Sequence, residues 1–388
     1  MARRDGCRMI HYLTRARQSP DALTLVFTGD VILDVPEPDH WLACIAPALQ
    51  RADVAIGHLE VPHTHSQNEL AGDVPAPGAD PAHIAALPRA GFTAMTLAGN
   101  HIADCGAAGI AETVNGLQQA GLAYTGAGAD LASARSPCVI EAAAGRRLCV
   151  LSYNCVGPAA AWAAIDKAGC SYLPVATADD APIAPAATFT LPLPDAVTFL
   201  RDDIAALRQH AQLIVVALHK GTVHTPARIE PYERELAHMA IDAGADIVIS
   251  HHAHIVRGIE IYRGKTIYHG LGNGCVVTHA LAPDQQHPAR AAWAQRRKLL
   301  FGFEPDPAFT LAPFHPQAVN GFMARIEWRP DGGLDCGIVP LTVDAPGRPR
   351  LAVGDEVQTV CAYLQQITVA AGLPALNLDI RSAMVAIL

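Results

Sequence analysis

Long apolar runs are missing from this sequence. No stretch could span a bilayer, and the region from Met1 to Pro20, despite Arg3, Arg4, Arg15 and Arg17, has no continuous apolar core of the kind a signal peptide carries. The expectation is a cytoplasmic protein with no membrane anchor. A long basic block is also absent, and the formal charge is -9. Such a chain offers no surface on which phosphate contacts could hold a nucleic acid, so that partner class is excluded. There is no C-x-x-C pair among the ten cysteines, Cys7, Cys44, Cys105, Cys138, Cys149, Cys155, Cys170, Cys275, Cys336 and Cys361. Scattered in this way, in a reducing compartment, they read as small core residues rather than as a redox device. What the chain does have is a 51% hydrophobic content over 388 residues, much of it alanine, with 31 glycines and 29 prolines. That suits a large core with many short turns and close helix packing.

Short apolar runs alternate with segments of helical period, the pattern of an α/β protein. Leu23–Phe27 is a strand closed by a tight turn at Thr28-Gly29-Asp30, and the spacing of Trp41, Ile45 and Leu49 predicts a helix over Trp41–Arg51. Asp53–Glu60 is a second strand, stopped before Pro62. A helix near Pro81–Arg89 leads to the strand Phe92–Ala98 and to Gly99-Asn100-His101. The next helix covers Ala108–Ala120, with Gly121 as a left-handed cap. Leu148–Tyr153 is a strand, while residues 159–193 show neither period and read as a loop or lid. A helix from Pro194 to His210 precedes the strand Leu213–Leu218 with its terminal His219. A helix over Pro231–Ala243 then leads to Ala245–Ser250, an apolar run that stops on His251, His252 and His254.

Five strands thus end at Asp30, Glu60, Asn100-His101, His219 and His252-Ala253-His254. In βα units the strand ends share one edge of a sheet, so these residues can meet although they are far apart in sequence. Two carboxylates, an amide oxygen and three imidazoles form a ligand set for two borderline divalent ions such as Zn, Mn or Fe, whereas calcium or magnesium alone favours an all-oxygen shell. The set does not by itself choose among Mn, Zn, Fe and Ca.

Gly29-Asp30, Gly57-His58-Leu59-Glu60, Gly99-Asn100-His101 with Asp104 and Gly106, His219, His252-Ala253-His254 and Gly270-Leu271-Gly272-Asn273 together resemble the CapA-type family of capsule (poly-γ-glutamate) biosynthesis, a branch of the metallophosphatase, or calcineurin-like, superfamily. The resemblance covers about residues 23 to 275. It implies a four-layer αββα sandwich with a dinuclear metal centre at the strand ends. By the same resemblance Glu60 is the bridging ligand, Asn100, His219 and His252 complete one metal, and Asp30 and His254 hold the other. His101 is similar to the histidine that protonates a leaving group in phosphatase relatives. Three departures stand out. Ile32 occupies a position where the first motif usually has histidine, and His219-Lys220-Gly221 replaces the common His-Trp-Gly, so Lys220 becomes a candidate for pairing with a substrate carboxylate or phosphate. Gly272-Asn273-Gly274 likewise replaces the common Gly-Asn-Phe, these last two changes fall near the expected mouth of the site, and His224 and His269 lie near that mouth in sequence. The domain reading is an N-terminal extension over 1–22, a CapA domain over 23–284, and a loop, strands and helix over 285–388 that complete the same domain.

Farther on, Ala289–Leu300 with Arg290, Arg296, Arg297 and Lys298 reads as an exposed basic helix, and Phe314-His315-Pro316 precedes a strand over Gly321–Trp328. The Phe-His-Pro element resembles a C-terminal feature of the branch that includes lasso-peptide epimerases, in which the loop returns toward the active site. The resulting expectation is a metal-dependent enzyme acting on a peptide or poly-amino-acid substrate by acid/base chemistry, with Cα epimerisation as the specific reaction and His101 or Asp104 and His315 as the two proton-transfer groups. Metal-dependent hydrolysis of a phosphoester or acyl centre is the alternative, and a non-catalytic capsule accessory is the third reading.

Overall fold

In the strand Leu23–Leu33, Leu25 and Phe27 enter one apolar cluster while Val26, between them, enters another. The period of two thus puts packed layers on both faces of the sheet. The same alternation recurs in Leu213–His219, where Val215 and Ala217 face the first sheet and Ile214, Val216 and Leu218 face helices. Between the sheets Leu25, Phe27 and Ile56 meet Val150, Val215 and Ile249. Outside the first sheet, Val26, Ala55 and Met95 pack with Leu87 and Ile110 of the helices Ala86–Ala90 and Gly106–Gln119. Outside the second, Leu200 and Ile204 of Pro194–Arg208 and Leu236 and Ala240 of Pro231–Ala243 close the other flank. The architecture is the expected four-layer αββα sandwich. It is seen in a computed structural model that describes residues 21–388 apart from 71–75, 179–182, 184–186, 283–285 and 382–383. Most of the expected N-terminal extension and the expected boundary at 284/285 lie outside the described residues.

The first sheet runs Leu378–Ile380, Val385–Ile387, Leu334–Asp344, Asn320–Trp328, Leu23–Leu33, Val54–Leu59, Ala94–Thr96, Ala123–Thr125. The second runs Ile259–Tyr262, Lys265–Tyr268, Ile247–His251, Leu213–His219, Arg147–Asn154, Cys138–Glu141. Leu23–Leu33, Val54–Leu59 and Ala94–Thr96 are mutually parallel, as are Arg147–Asn154, Leu213–His219 and Ile247–His251. Their carboxyl ends therefore share one edge in each sheet, which is where such sheets hold ligands.

Three expectations about secondary structure are corrected. The first strand does not stop at Thr28-Gly29-Asp30: it shifts register between Phe27 and Asp30 and runs on to Leu33. Up to Phe27 its neighbour is the antiparallel strand Asn320–Trp328, and from Asp30 it is the parallel strand Asn273–Val277. The single helix expected over Trp41–Arg51 is two short ones, Pro38–Leu42 and Ala46–Leu49, because Pro47 can neither donate to nor fit against the preceding turn. Within 159–193, Gly169–Cys170 pairs with Ala127–Gly128 and Val175–Thr177 with Phe189–Pro192, ladders too short to leave a readable period. The basic segment is helical over Pro288–Phe301. Cys105, Cys138, Cys149, Cys155, Cys170, Cys275 and Cys361 are free and buried and Cys336 is free and partly buried, whereas Cys44 is disulfide-bonded and so departs from the reduced reading. Among the described residues no helix is long and apolar enough to cross a membrane.

A Cβ on Gly29 would collide with the Gly272 carbonyl oxygen, which accepts a hydrogen bond from the Asp30 N–H at 2.9 Å. Because the obstacle is backbone, Gly29→Ala is expected to lower stability by roughly 1–3 kcal/mol, read as a fall in the urea midpoint at unchanged slope.

Candidate metal centre

Each strand end delivers its side chains to one buried cluster. Asp30 follows the register shift, and its Cα pairs laterally with His58 and Asn273. His58 and Glu60 come from the end of Val54–Leu59, Asn100 and His101 from the loop after Ala94–Thr96, and His219 and His251 from the last positions of their strands. Past His251 the chain turns through His252 at φ 90° and His254 at φ 52°. Left-handed backbone at a non-glycine residue costs about 1–3 kcal/mol and is kept where the surroundings hold it. Here Ala253 O accepts from His224 N–H at 2.8 Å and Ser250 O from Leu271 N–H at 2.9 Å.

The cluster is rich in acceptors that no protein donor satisfies. Asp30 Oδ1, Glu60 Oε2, His58 Nε2, His219 Nδ1 and both ring nitrogens of His252 are buried without a hydrogen-bond partner, and Glu60 Oε1 has only a 3.3 Å contact with His254 Nε2. Buried polar atoms of this kind ordinarily find partners, so a concentration of them calls for a cation. The ligand atoms of Asp30, His58 and His219 lie within 4.8 Å of one another, and so do those of Asp30, Glu60 and His254. The donor set fits one or two divalent ions. Asp30 is the residue common to both groups, the position the family resemblance gives to Glu60.

Electrostatics bear this out. Burial, and next the charge of Glu60, push the Asp30 carboxyl well above the usual carboxylate range. Burial opposes charge on Glu60 too, but His254 outweighs it and pulls that carboxyl down to about 2. At His254, burial is in turn outweighed by Glu60 and Asp30, and its pKa rises to about 9. Its Nε2 is 3.3 Å from Glu60 and its Nδ1 3.6 Å from Asp30. Burial, followed by neighbouring imidazoles, holds His58 and His219 well below the ordinary histidine value and His252 at about 3, so all three keep neutral rings suited to metal ligation.

Of the residues singled out from sequence, the structure brings Asp30, Glu60, Asn100, His219, His252 and His254 together. His219 Nε2 is 2.8 Å from Asn100 Oδ1, and the His219 and His252 rings are 4.8 Å apart. His101 and Asp104 are both buried and joined through Nδ1 and Oδ2 at 2.7 Å, and the charge of His101 is felt by both carboxylates. His315 is only half-buried. Its Nδ1 accepts from Gln317 N–H at 3.1 Å and its ring packs on Phe303, yet its neighbour Phe314 stacks on His254 at 4.8 Å. Ile32 packs with Phe314, Val61 and Val276 and adds no donor. His58 and His251, stacked at 4.7 Å, and Asn273, 3.0 Å from His254 Nδ1, are the residues that sequence reasoning did not assign. A signal for His58 existed, since it stands two residues before Glu60 and therefore on the same face of its strand.

A family model described as "Bacterial capsule synthesis protein PGA_cap" matches residues 24–276. The chain belongs to this family. Relatives of this PGA_cap chain include "PGA biosynthesis protein CapA" of Bacillus subtilis, 25% identical over 264 residues that cover 66% of this chain and 63% of that protein. "Capsule biosynthesis protein CapA" of Bacillus anthracis is 26% identical over 268 residues, covering 65% of this chain and 59% of that one. The PGA_cap chain thus spans less than two thirds of the length of both relatives. Among solved structures it resembles the calcineurin-like phosphoesterase YfkN from Bacillus subtilis with a TM-score of 0.37 and 11% identity, covering 90% of this chain and 98% of that one.

Lys220 of the PGA_cap chain is not in the cluster. It is fully buried, with Nζ 3.0 Å from Glu233 and 3.4 Å from His269 Nδ1. Glu233 also takes Arg257 Nη1 at 2.6 Å, and these two cations outweigh burial to hold its carboxyl at about 2. His269 Nε2 continues the chain of contacts to Glu260 at 3.0 Å. The charge of Lys220 is therefore spent inside the protein, which corrects its assignment to substrate pairing. His224 does reach the cluster, its ring 6.2 Å from that of His254.

Two expectations follow from these ion pairs. Glu233→Ala would strand two buried cations and lower unfolding free energy by roughly 3–5 kcal/mol, measured by chemical denaturation. In metal-free protein, His254 titrates at about 9 against its ordinary 6.5, so its stabilisation is complete below pH 6.5 and disappears as pH rises through 9. A loss on the order of 3 kcal/mol across that window is expected, and His254→Gln should abolish it in pH-resolved melts.

Proposed function

We propose that this PGA_cap chain is a metal-dependent enzyme that acts on a peptide or poly-amino-acid substrate by acid/base chemistry. The observation that carries the reading is the buried set of carboxylates and neutral imidazoles lacking protein donors, beside the hydrogen-bonded His101–Asp104 pair. Asp30, Glu60, Asn100, His219, His252 and His254 would hold the metal. Divalent ions bound there would polarise a substrate carbonyl and offset negative charge developing on its oxygen. Asp104 accepts from His101 Nδ1–H, fixes the tautomer and leaves Nε2 to exchange a proton with the substrate. Burial of the pair keeps that proton from being lost to bulk water. The peptide-like substrate is supported by the PGA and capsule biosynthesis named in the two CapA relatives.

The finer reading is Cα epimerisation. Phe314 packed on His254 supports it, because the loop that carries His315 then borders the cluster, and His315 would serve as the second proton-carrying group opposite His101. Metal-dependent hydrolysis needs only His101 as proton donor and is the second enzymatic reading.

The metal-loaded protein incubated with poly-γ-glutamate or a candidate peptide in deuterated water is expected to place deuterium at Cα without backbone cleavage. Backbone cleavage with no exchange would replace epimerisation by hydrolysis. Neither outcome with any such substrate would leave a binding accessory. His101→Gln is expected to slow turnover about 10²–10⁴-fold, and His252→Ala or exhaustive chelation to abolish it; full turnover by the chelated protein would sink the metal-dependent reading.

A further inference from the structure

The ligand set above leaves two buried strand-end imidazoles of the cluster unused, His58 and His251, and of these only His58 has a buried nitrogen without a partner. His58 is 1% exposed, and its two nitrogens have contrasting surroundings. Nδ1 is 3.0 Å from Thr96 Oγ1, and the Thr96 hydroxyl donates onward to Gly57 O at 3.4 Å. With its proton committed to Gly57, Thr96 Oγ1 accepts from His58 Nδ1–H. That tautomer leaves Nε2 as a bare lone pair, the arrangement by which an outer hydrogen bond prepares a histidine for metal. Nε2 is indeed buried with no hydrogen-bond partner.

What Nε2 faces contains no donor. Its group is completed by Asp30 and His219, with ligand atoms within 4.8 Å of one another, and Asp30 Oδ1 and His219 Nδ1 are likewise without partners. The fold makes room for this meeting: a Cβ on Gly99 would lie 2.8 Å from His58 Nε2 and 3.3 Å from His219 Cε1. On its other face the His58 ring is stacked on His251 at 4.7 Å, and His251 Nε2 is tied to Thr28 O at 3.2 Å, so the ring cannot swing away.

We propose that His58 is a metal ligand in its own right, forming with Asp30 and His219 a site of two imidazoles and one carboxylate that takes a borderline divalent cation such as Zn, Mn or Fe in preference to Ca or Mg. The inference rests on the metal-binding part of the proposed function and adds a ligand to it. Thr96 is the positioning residue that sets the tautomer.

The test is metal binding rather than turnover. Wild type, His58→Asn and Thr96→Val, each stripped with chelator, are titrated with Zn and with Co, reading stoichiometry by elemental analysis, affinity by calorimetry and the ligand field by Co absorption. His58→Asn is expected to lose one equivalent, or to bind it at least 10-fold more weakly, with an altered Co spectrum. Thr96→Val keeps every ligand and is expected to bind about 10–100-fold more weakly, which keeps the inference testable if His58→Asn fails to fold. Unchanged stoichiometry, affinity within twofold and the wild-type Co spectrum in a folded His58→Asn, or wild-type affinity in Thr96→Val, would overturn the role of His58 alone. Absence of metal uptake by the wild type would overturn it together with the metal-dependent function.

Discussion

Two carboxylates buried side by side without enough protons between them dominate this molecule. Asp30 and Glu60 are both fully buried and repel each other, and His254 stands between them as a cation. Around them stand imidazoles that burial and mutual repulsion keep neutral. An arrangement so short of positive charge costs stability unless a cation enters, and the rest of the architecture can be understood as what tolerates that cost. Apolar clusters on both faces of both sheets anchor the strands. Strained turns at His252 and His254 are held by hydrogen bonds from neighbouring loops.

A second buried charge system lies behind the first and is complete in itself. Lys220 and Arg257 share Glu233, while His269 and Arg234 share Glu260. Both carboxyls are held below their usual range although burial opposes it, Glu233 by Arg257 and Lys220, and Glu260 by its bonds to His269 and Arg234. The contrast between the two systems is informative. One system has its charges matched by protein, and the other leaves acceptors to be matched from outside.

Much of this was legible in the sequence. Period-two alternation, short strands and helix caps give the layered α/β order, and strand ends give the cluster, because the edge they share is dictated by topology. Where the reading failed, a local rule had been passed over or a nonlocal fact was needed. Lys220 follows the last residue of its strand and is drawn to Glu233 on the next helix, a contact no local pattern shows, while His58, two before Glu60, was legible from the strand period. The helix over Trp41–Arg51 was broken by Pro47, a signal present in the sequence. By contrast, nothing local shows that Phe314 lies on His254, or that Asp30 sits in mid-strand, since both depend on segments far away in the chain.

The exchange of neighbours along Leu23–Leu33 has a consequence for assembly. Asp30 belongs to the first strand, but the residues that flank and cap it, His252, Gly272 and Asn273, come more than two hundred positions later, and the antiparallel partner of Leu23–Phe27 later still. Closing such loops makes for a chain of high contact order. One edge of the opening strand therefore stays unpaired until segments more than two hundred positions later have been made. The metal-binding edge cannot take shape before His252, Gly272 and Asn273 are in place beside Asp30.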